Sequence, residues 1–467
     1  MLSWWLVPAL VGTTLSVPDT IWSRCYDGPA HQEDEVTGLL WDSTGSYLTG
    51  FSFGGPTDFD FATVKVSAQG ETLWARRYGS PLNCEDRIWC SAQDSAGNIV
   101  TGGGTIADFQ QGWDFLVIKY RPDGETCWLR RLDFPEHGDD KPAALAITPD
   151  NGIVITGTSR HRPDSTRGLV RSDWDIATVK LSPQGDTVWT RLCNGPAGQD
   201  DYGCALAIDR EGNSYIAGKV VTRPPATDIV LLKFDGRGNR CWQQTIDGPG
   251  QSSDFPAGVL LCPRTDTLRL CPRTDTLRFG DSDRLYLWGT VTGKGTGFDY
   301  LVASFDLQGR LQWLKTYDCD HRVDICQAAC LDQEGAIIVT GQSTGRGSSF
   351  DIVTLKFSSS GQLLWQSRYN GPYNGADRGY CVTADSDVVL VGGSSEGGTG
   401  YPDLVLLRLA GTTGDTLGTF RYPSGGAGAS RAVAIKALAD RILVAGHTFR
   451  PRTGFDYLLV CLKRKGF

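Results

Sequence analysis

The 467-residue sequence has no Cys-x-x-Cys, and its five histidines (His31, His137, His161, His321 and His447) are far apart. That removes the spacings of structural zinc sites, although fourteen cysteines are present. Positive charge is in deficit: 45 Lys and Arg against 53 Asp and Glu leave a net charge of −8. A nucleic-acid partner is therefore not expected. The apolar stretch Leu2–Leu15 is too short to cross a membrane. Helical periodicity of useful length is missing. So are a Ser-His-Asp order, a pair of catalytic glutamates and a phosphate-binding loop. What the chain does have is 58 glycines and a long repeat.

The repeat is a triad, Lys…Gly…Trp. It occurs as Lys65–Gly70–Trp74, Lys119–Gly124–Trp128, Lys180–Gly185–Trp189, Lys233–Gly238–Trp242 and Lys356–Gly361–Trp365. Gly309 and Trp313 keep the pattern with Ser304 in the lysine's place. An aspartate stands five residues before each lysine (Asp60, Asp114, Asp175, Asp228, Asp351), and Asp299, Asp403 and Asp456 mark three more copies. Successive aspartates are 54, 61, 53, 71, 52, 52 and 53 residues apart. A period in that range, filled with short strands and turns, means one supersecondary unit stacked many times.

Each unit reads as four strands. Asp175–Leu181 is β-rich, Ser182-Pro-Gln-Gly185 turns the chain, and Asp186–Leu192 pairs back. After the break at Asn194-Gly-Pro196, Asp201–Ile208 is the next strand, and Asp209-Arg-Glu-Gly212 turns it into Asn213–Ala217. Four antiparallel strands per unit describe a propeller blade. The expectation is all-β: an eight-bladed β-propeller, or seven blades if two units merge. Because the chain opens on an outer strand at Asp19–Trp22 and ends one strand short, the N-terminal strand should complete the last blade.

A second aspartate column opens the strand after each break: Asp34, Asp86, Asp140, Asp201, Asp254, Asp324 and Asp377, with Ser430 in the eighth copy. Four residues on, every position is small (Gly38, Cys90, Ala144, Ala205, Gly258, Ala328, Cys381, Ala434), as strands converging on an axis require. The Trp column is expected to fill the wide outer end of each wedge.

These motifs, Asp-hydrophobic-Lys…Gly…Trp and then Asp…Asp-x-x-Gly-Asn…Gly, resemble the bacterial SBBP-type β-propeller repeat over about residues 18–463. The resemblance implies the fold and a secreted or surface protein. A weaker similarity, Gly four residues before Trp, is to the tryptophan-docking repeat of pyrroloquinoline quinone dehydrogenases, also eight-bladed. Their active site carries adjacent cysteines, and no Cys-Cys pair exists here, so no cofactor of that kind is expected.

The apolar start, residues 1–17, reads as a secretory leader or an ordered apolar tail, and 18–467 as one propeller domain. Export would favour bridges such as Cys193–Cys204, Cys319–Cys326 or Cys84–Cys90, while free buried thiols are the alternative. The segment Leu261–Arg269 is duplicated at once as Leu270–Arg278 and should bulge from one face.

The candidate sites follow from the columns and from departures from them. The seven aspartates Asp34, Asp86, Asp140, Asp201, Asp254, Asp324 and Asp377 could ring a channel and hold calcium, or each could cap its own turn. Basic loops at Arg160, His161, Arg162, Arg167 and Arg171, and at His447, Arg450 and Arg452, break the repeat within an acidic protein. Such arginines suit carboxylated or sulfated glycans or an acidic protein. The expected function is a secreted or cell-surface, non-catalytic scaffold for an acidic glycan or a protein partner, monomeric or weakly self-associating. The alternatives are a channel-centred enzyme (lyase, glycosidase or quinoprotein-like oxidoreductase) and a self-assembling structural repeat.

Overall fold

The structure is a computed structural model that describes residues 20–108, 112–134, 138–160, 173–262, 269–270, 277–278, 283–425 and 428–464. It is an eight-bladed β-propeller of four-stranded antiparallel blades. Blade 1 comprises an inner strand Asp34–Asp42, a second strand Gly45–Phe53, a third strand Phe59–Ser67 and an outer strand Thr72–Tyr78. Blades 2 to 7 repeat this order along the chain. In blade 8, Ser430–Ala437, Arg441–Arg450 and Gly454–Lys463 are joined by Thr20–Tyr26 as the outer strand. The ring is thus closed by pairing the two ends of the chain, as the strand count required. Among the described residues, no helix is long and apolar enough to cross a membrane.

Local sequence sets each layer. Second and third strands have neighbouring blades on both sides, so they are buried almost throughout, as in Phe59–Ser67 and Trp174–Leu181. Outer strands are covered less, and Thr72–Tyr78 and Thr187–Cys193 each expose three of their seven residues. Every inner strand has a register shift just before the small column, for example between Val36 and Gly38 and between Pro142 and Ala144. A Cβ at Gly38 would lie 2.6 Å from Thr49 Oγ1 and 2.7 Å from Ser91 Oγ of the next inner strand. The small column is therefore set by crowding.

The Lys–Gly–Trp triad joins neighbouring blades. Each outer tryptophan lies on the turn glycine of the following blade and donates Nε1–H to a carbonyl in that turn. Trp74 donates to Pro122 O at 3.1 Å, Trp128 to Pro183 O at 3.0 Å and Trp365 to Gly411 O at 3.0 Å. The glycine has φ near +85°, and a Cβ on Gly124 would lie 2.9 Å from the Trp74 ring. In blades 1, 2, 4 and 6 the lysine donates to the same carbonyl, as Lys65 does to Pro122 O at 3.0 Å and Lys356 to Gly411 O at 2.7 Å. It also pairs with the aspartate of its own first hairpin: Lys119 with Asp94 and Lys356 with Asp332, both at 2.8 Å. The sequence predicts that the Trp column fills the wide outer end of each wedge, and the structure adds a second role. The indole is a directional latch with a hydrogen bond and a stacking partner.

Three blades lack the lysine: Arg408 stands at its position in blade 7, and in blades 5 and 8 an arginine replaces it from another strand. Ser304 stands in blade 5 and Cys461 in blade 8. There Arg284 donates to Ser359 O, and Arg441 to Ala68 O at 3.0 Å, the carbonyls that Trp313 and Trp22 also use. Only the junction between blades 7 and 8 has no such latch among the described residues. Blade 8 takes its third and outer strands from opposite ends of the chain, so no turn joins them, and Gly418 stands where the tryptophan would be. A cleft of about 220 Å³ lies there, lined by Asp385, Arg408, Ala437, Ile442 and Arg464. The Arg464–Asp385 pair at 2.6 Å spans it.

The duplicated segment lies between the inner and second strands of blade 5. Its described backbone, Arg269–Leu270 paired with Leu277–Arg278, makes a two-residue ladder of its own. Among the described residues, the twelve cysteines other than Cys262 are free thiols. Cys90 and Cys381 hydrogen-bond to Gly102 O and Gly392 O along the axis, and Cys326 is buried in the core between blades 5 and 6.

Candidate functional site

Both aspartate columns lie on one face of the ring, where inner and third strands begin. The inner column does not form a channel rim. Asp34, Asp86, Asp140, Asp201, Asp254, Asp324 and Asp377 are all 0 % exposed, and each accepts a backbone N–H from the loop that leads into its strand. Asp34 caps Gly28 at 2.6 Å, Asp86 caps Ser80 at 2.5 Å, Asp254 caps Gly248 at 2.6 Å and Asp377 caps Gly371 at 2.5 Å. Phe134, Gly195 and Cys319 are capped likewise by Asp140, Asp201 and Asp324. Capping, the alternative given for this column, is what the geometry provides. Burial pushes Asp34, Asp86, Asp201, Asp254 and Asp324 up to about 6 and Asp140 up to about 7.

Between blades, the inner aspartate meets the third-strand aspartate of the preceding blade. What accompanies them varies. In blades 1, 2, 6 and 7 an arginine on the outer strand reaches the third-strand carboxylate: Arg77 to Asp60 at 2.8 Å, Arg131 to Asp114 at 3.3 Å, Arg368 to Asp351 at 2.5 Å and Arg421 to Asp403 at 3.1 Å. In four junctions a third carboxylate joins: Asp27 with Asp34 and Asp456, Asp133 with Asp114 and Asp140, Asp247 with Asp228 and Asp254, and Asp318 with Asp299 and Asp324. In each group, one oxygen per residue lies within 4.8 Å of the others.

On the same face, the second residues of the inner strands differ from blade to blade: Glu35, Arg87, Lys141, Tyr202, Phe255, Ile325, Arg378 and Arg431. They form a belt in which cations sit on aromatic rings across blade junctions. The Arg87 guanidinium lies 4.6 Å from both Phe51 and Phe59, and Lys141 lies 5.8 Å from Trp113 and 5.6 Å from Trp174. Lys219 lies 4.2 Å from Tyr202 and 5.4 Å from Phe255. Arg378 covers Phe350, and Arg431 covers Tyr380 while reaching Glu35 at 3.4 Å. Lys141, Arg431 and Phe255 are exposed, and Arg87, Tyr202 and Arg378 half-buried. Such contacts are worth about 0.5–1 kcal/mol each at exposed sites, so the belt is preorganised and still open to solvent.

The basic loops divide. Arg160 is exposed on this face, 3.5 Å from Asp139 and 5.7 Å from the Trp174 ring, so it joins the belt. His161, Arg162, Arg167 and Arg171 lie outside the described residues. Arg450 pairs with Asp456 at 3.3 Å and donates to Cys25 Sγ, and Arg452 is exposed. His447 is 2 % exposed, packed edge-on to Phe455, and burial pushes it down to about 3, so it is a neutral core residue. The belt itself was not identified from sequence. Its signal was a column of alternating cations and aromatics beside the invariant aspartates.

No protein-family model matches the sequence, and no curated protein does. Solved structures match the fold. The quinohemoprotein alcohol dehydrogenase of Comamonas testosteroni aligns over 94 % of this chain and 76 % of its own, with 12 % identity and a TM-score of 0.55. A quinohemoprotein alcohol dehydrogenase of Pseudomonas putida HK5 aligns over 98 % and 78 %, with 12 % identity and a TM-score of 0.53. At that identity, the propeller is shared and the chemistry is not carried over.

Proposed function

We propose that the protein is an exported, non-catalytic binding scaffold that takes an acidic glycan on its aspartate face. The observation that supports this most is the belt. Positions that hold the ring together are nearly invariant from blade to blade, whereas Arg87, Lys141, Arg378 and Arg431 depart from the repeat and sit beside half-exposed rings. Aromatic faces stack on sugar rings, and guanidinium and ammonium groups pair with carboxylate or sulfate. Arg160 extends the same surface outward.

The test is binding of oligogalacturonate and chondroitin sulfate, with neutral xylo-oligosaccharide as control, by calorimetry in 50 and 200 mM salt. The acidic ligands should bind and the neutral one should not, with affinity falling at higher salt. Changing Arg87, Lys141 and Arg431 together to Ser should weaken binding by about tenfold or more, at about 1.4 kcal/mol per decade. Mass spectrometry of the recovered oligosaccharide should show no cleavage. Binding left intact in the triple variant, or turnover of the glycan, refutes the proposal.

A further inference from the structure

The carboxylate groups between blades differ in how their charge is compensated. Among the described residues, blades 4 and 5 are the two in which a third carboxylate stands where the outer-strand arginine is missing and no arginine from elsewhere pairs with the third-strand aspartate. Three residues after the tryptophan position stand Arg77, Arg368 and Arg421 in blades 1, 6 and 7, and two residues further on stand Gly79, Asn370 and Pro423. In blades 4 and 5 the same two positions hold Thr245 with Asp247 and Thr316 with Asp318. In blades 1, 6 and 7 the guanidinium is present and the third carboxylate absent; in blades 4 and 5 the guanidinium is missing and a third carboxylate stands there, while blade 2 holds both (Arg131 and Asp133) and blade 3 neither (Leu192 and Asn194). Removing a buried cation and adding an anion beside two buried anions is unfavourable unless another positive charge enters.

We propose that the groups Asp228–Asp247–Asp254 and Asp299–Asp318–Asp324 each bind a calcium ion, joining blade 4 to blade 5 and blade 5 to blade 6. Two oxygens on opposite sides of calcium, each at about 2.3–2.6 Å, are about 4.6–5.2 Å apart, which matches oxygens held within 4.8 Å. Magnesium, at about 2.0–2.1 Å, demands a tighter set and keeps more of its water.

The second observation is a set of buried oxygens without donors. Asp228 is 3 % exposed and Asp299 4 %, and Oδ1 of each receives no hydrogen bond. Their other oxygens accept from Thr222 and Thr296. Asp324 Oδ1 also lacks a donor in hydrogen-bond geometry, although the Ser343 hydroxyl lies near enough to favour its charge, and Oδ2 accepts from Cys319 N. Asp254 accepts from Gly248 N and Thr292 N. The cations facing these groups are on their solvent side: Arg223 on Asp247 and His321 on Asp318. The two remaining groups are different, because Arg450 lies 3.3 Å from Asp456 and Arg131 lies 3.3 Å from Asp114.

The experiment uses the full chain after chelator treatment. Calorimetric titration with Ca²⁺ and luminescence titration with Tb³⁺ should give two equivalents, and Ca²⁺ should raise the melting temperature more than equimolar Mg²⁺ does. Thr316→Arg copies the arrangement around Arg368; it should remove one equivalent and leave the calcium-free melting temperature unchanged or higher. Asp318→Asn should also remove one equivalent, and Thr245→Arg the other. Thr316→Arg keeps the test decisive if Asp318→Asn fails to fold. No uptake of Ca²⁺ at millimolar concentration, or uptake unchanged in Thr316→Arg and Thr245→Arg, overturns the proposal.

Discussion

Replacing Lys356 with methionine removes one charge from a latch whose other parts stay in place. Lys356 Nζ lies 2.8 Å from Asp332 and 2.7 Å from Gly411 O, and the two side chains are 10 % and 9 % exposed. Methionine retains the length and the apolar stem. Gly411 O keeps Trp365 as donor at 3.0 Å, so the carbonyl is not orphaned. Asp332 Oδ1 keeps the N–H groups of Glu334 and Ala336, both at 2.9 Å, but Oδ2 loses its counter-charge in a nearly buried site. Breaking a buried pair from one side costs about 3–5 kcal/mol. The retained turn bonds place this case near the lower end, about 3 kcal/mol. Lys356→Met with Asp332→Asn should cost less than Lys356→Met alone, because the second change removes the unpaired charge. As a contrast, Arg310→Ala removes a pair in which Arg310 is 76 % exposed, and should cost under about 1 kcal/mol. Reversible guanidinium unfolding followed by tryptophan fluorescence measures these three variants together with wild type and Asp332→Asn, which completes the cycle. A loss below about 1 kcal/mol in Lys356→Met, or additive losses in the double variant, would refute the latch as described.

Two further outcomes follow from the same geometry. Gly238→Ala places a Cβ 2.7 Å from the Trp189 ring at φ +81°, whereas Gly347→Ala has φ +88° and nothing within 4 Å. Both bear the left-handed strain of about 1–2 kcal/mol, and only Gly238→Ala must also displace an indole; equal losses in the unfolding assay would show that the stacking contributes nothing. The inner aspartates give a pH dependence whose sign is fixed by their raised values. Their folded values of about 6 to 7 exceed the unfolded value of about 3.9, so the folded state holds more protons in between. That stability is complete below about pH 4 and is lost as pH rises through about 6 to 7. Asp94 and Asp150, held low by hydrogen bonds and lysines against the cost of burial, lose stability only in more acidic solution. In chelator, the melting temperature should fall from pH 5 to pH 8, and Asp140→Asn should flatten that fall; a rise over the same range contradicts the assignment.

The blade count, the ring closure and the crowded axis were legible because each depends on local pattern: a strand, a turn glycine, a small residue at a fixed offset. The latch was less legible. Trp74 and Gly124 are 50 positions apart, and every copy looks the same whether the indole faces its own blade or the next. Arg284 and Arg441 were invisible for a related reason, since they replace a lysine from a different strand. The inner aspartates were read both as rim and as caps, and only the fold, by setting each behind a loop N–H, decides between them. The belt and the third carboxylates lie in columns that vary, so aligning the repeats on their shared residues directed attention away from them.

The distribution of latches bears on how the ring closes. Seven junctions are latched through a tryptophan and a turn carbonyl, from Trp22 on Ala68 O round to Trp365 on Gly411 O. The eighth has the cleft beside Arg408 and the Arg464–Asp385 pair, and the Arg464 and Asp385 side chains are each about a third exposed. Exposed pairs contribute about 0–1 kcal/mol. This junction is held instead by its interior, where Leu390, Leu404, Leu406 and Phe420 of blade 7 pack on Ile442, Val444, Leu458 and Val460 of blade 8. Blade 8 is also the only one assembled from both ends of the chain, so the strand pairing of Thr20–Tyr26 with Gly454–Lys463 carries the closure that a turn carries elsewhere. A latch there would need a third-to-outer turn, and closure by the N-terminal strand removes that turn. The missing tryptophan at position 418 is therefore a consequence of how the ring closes.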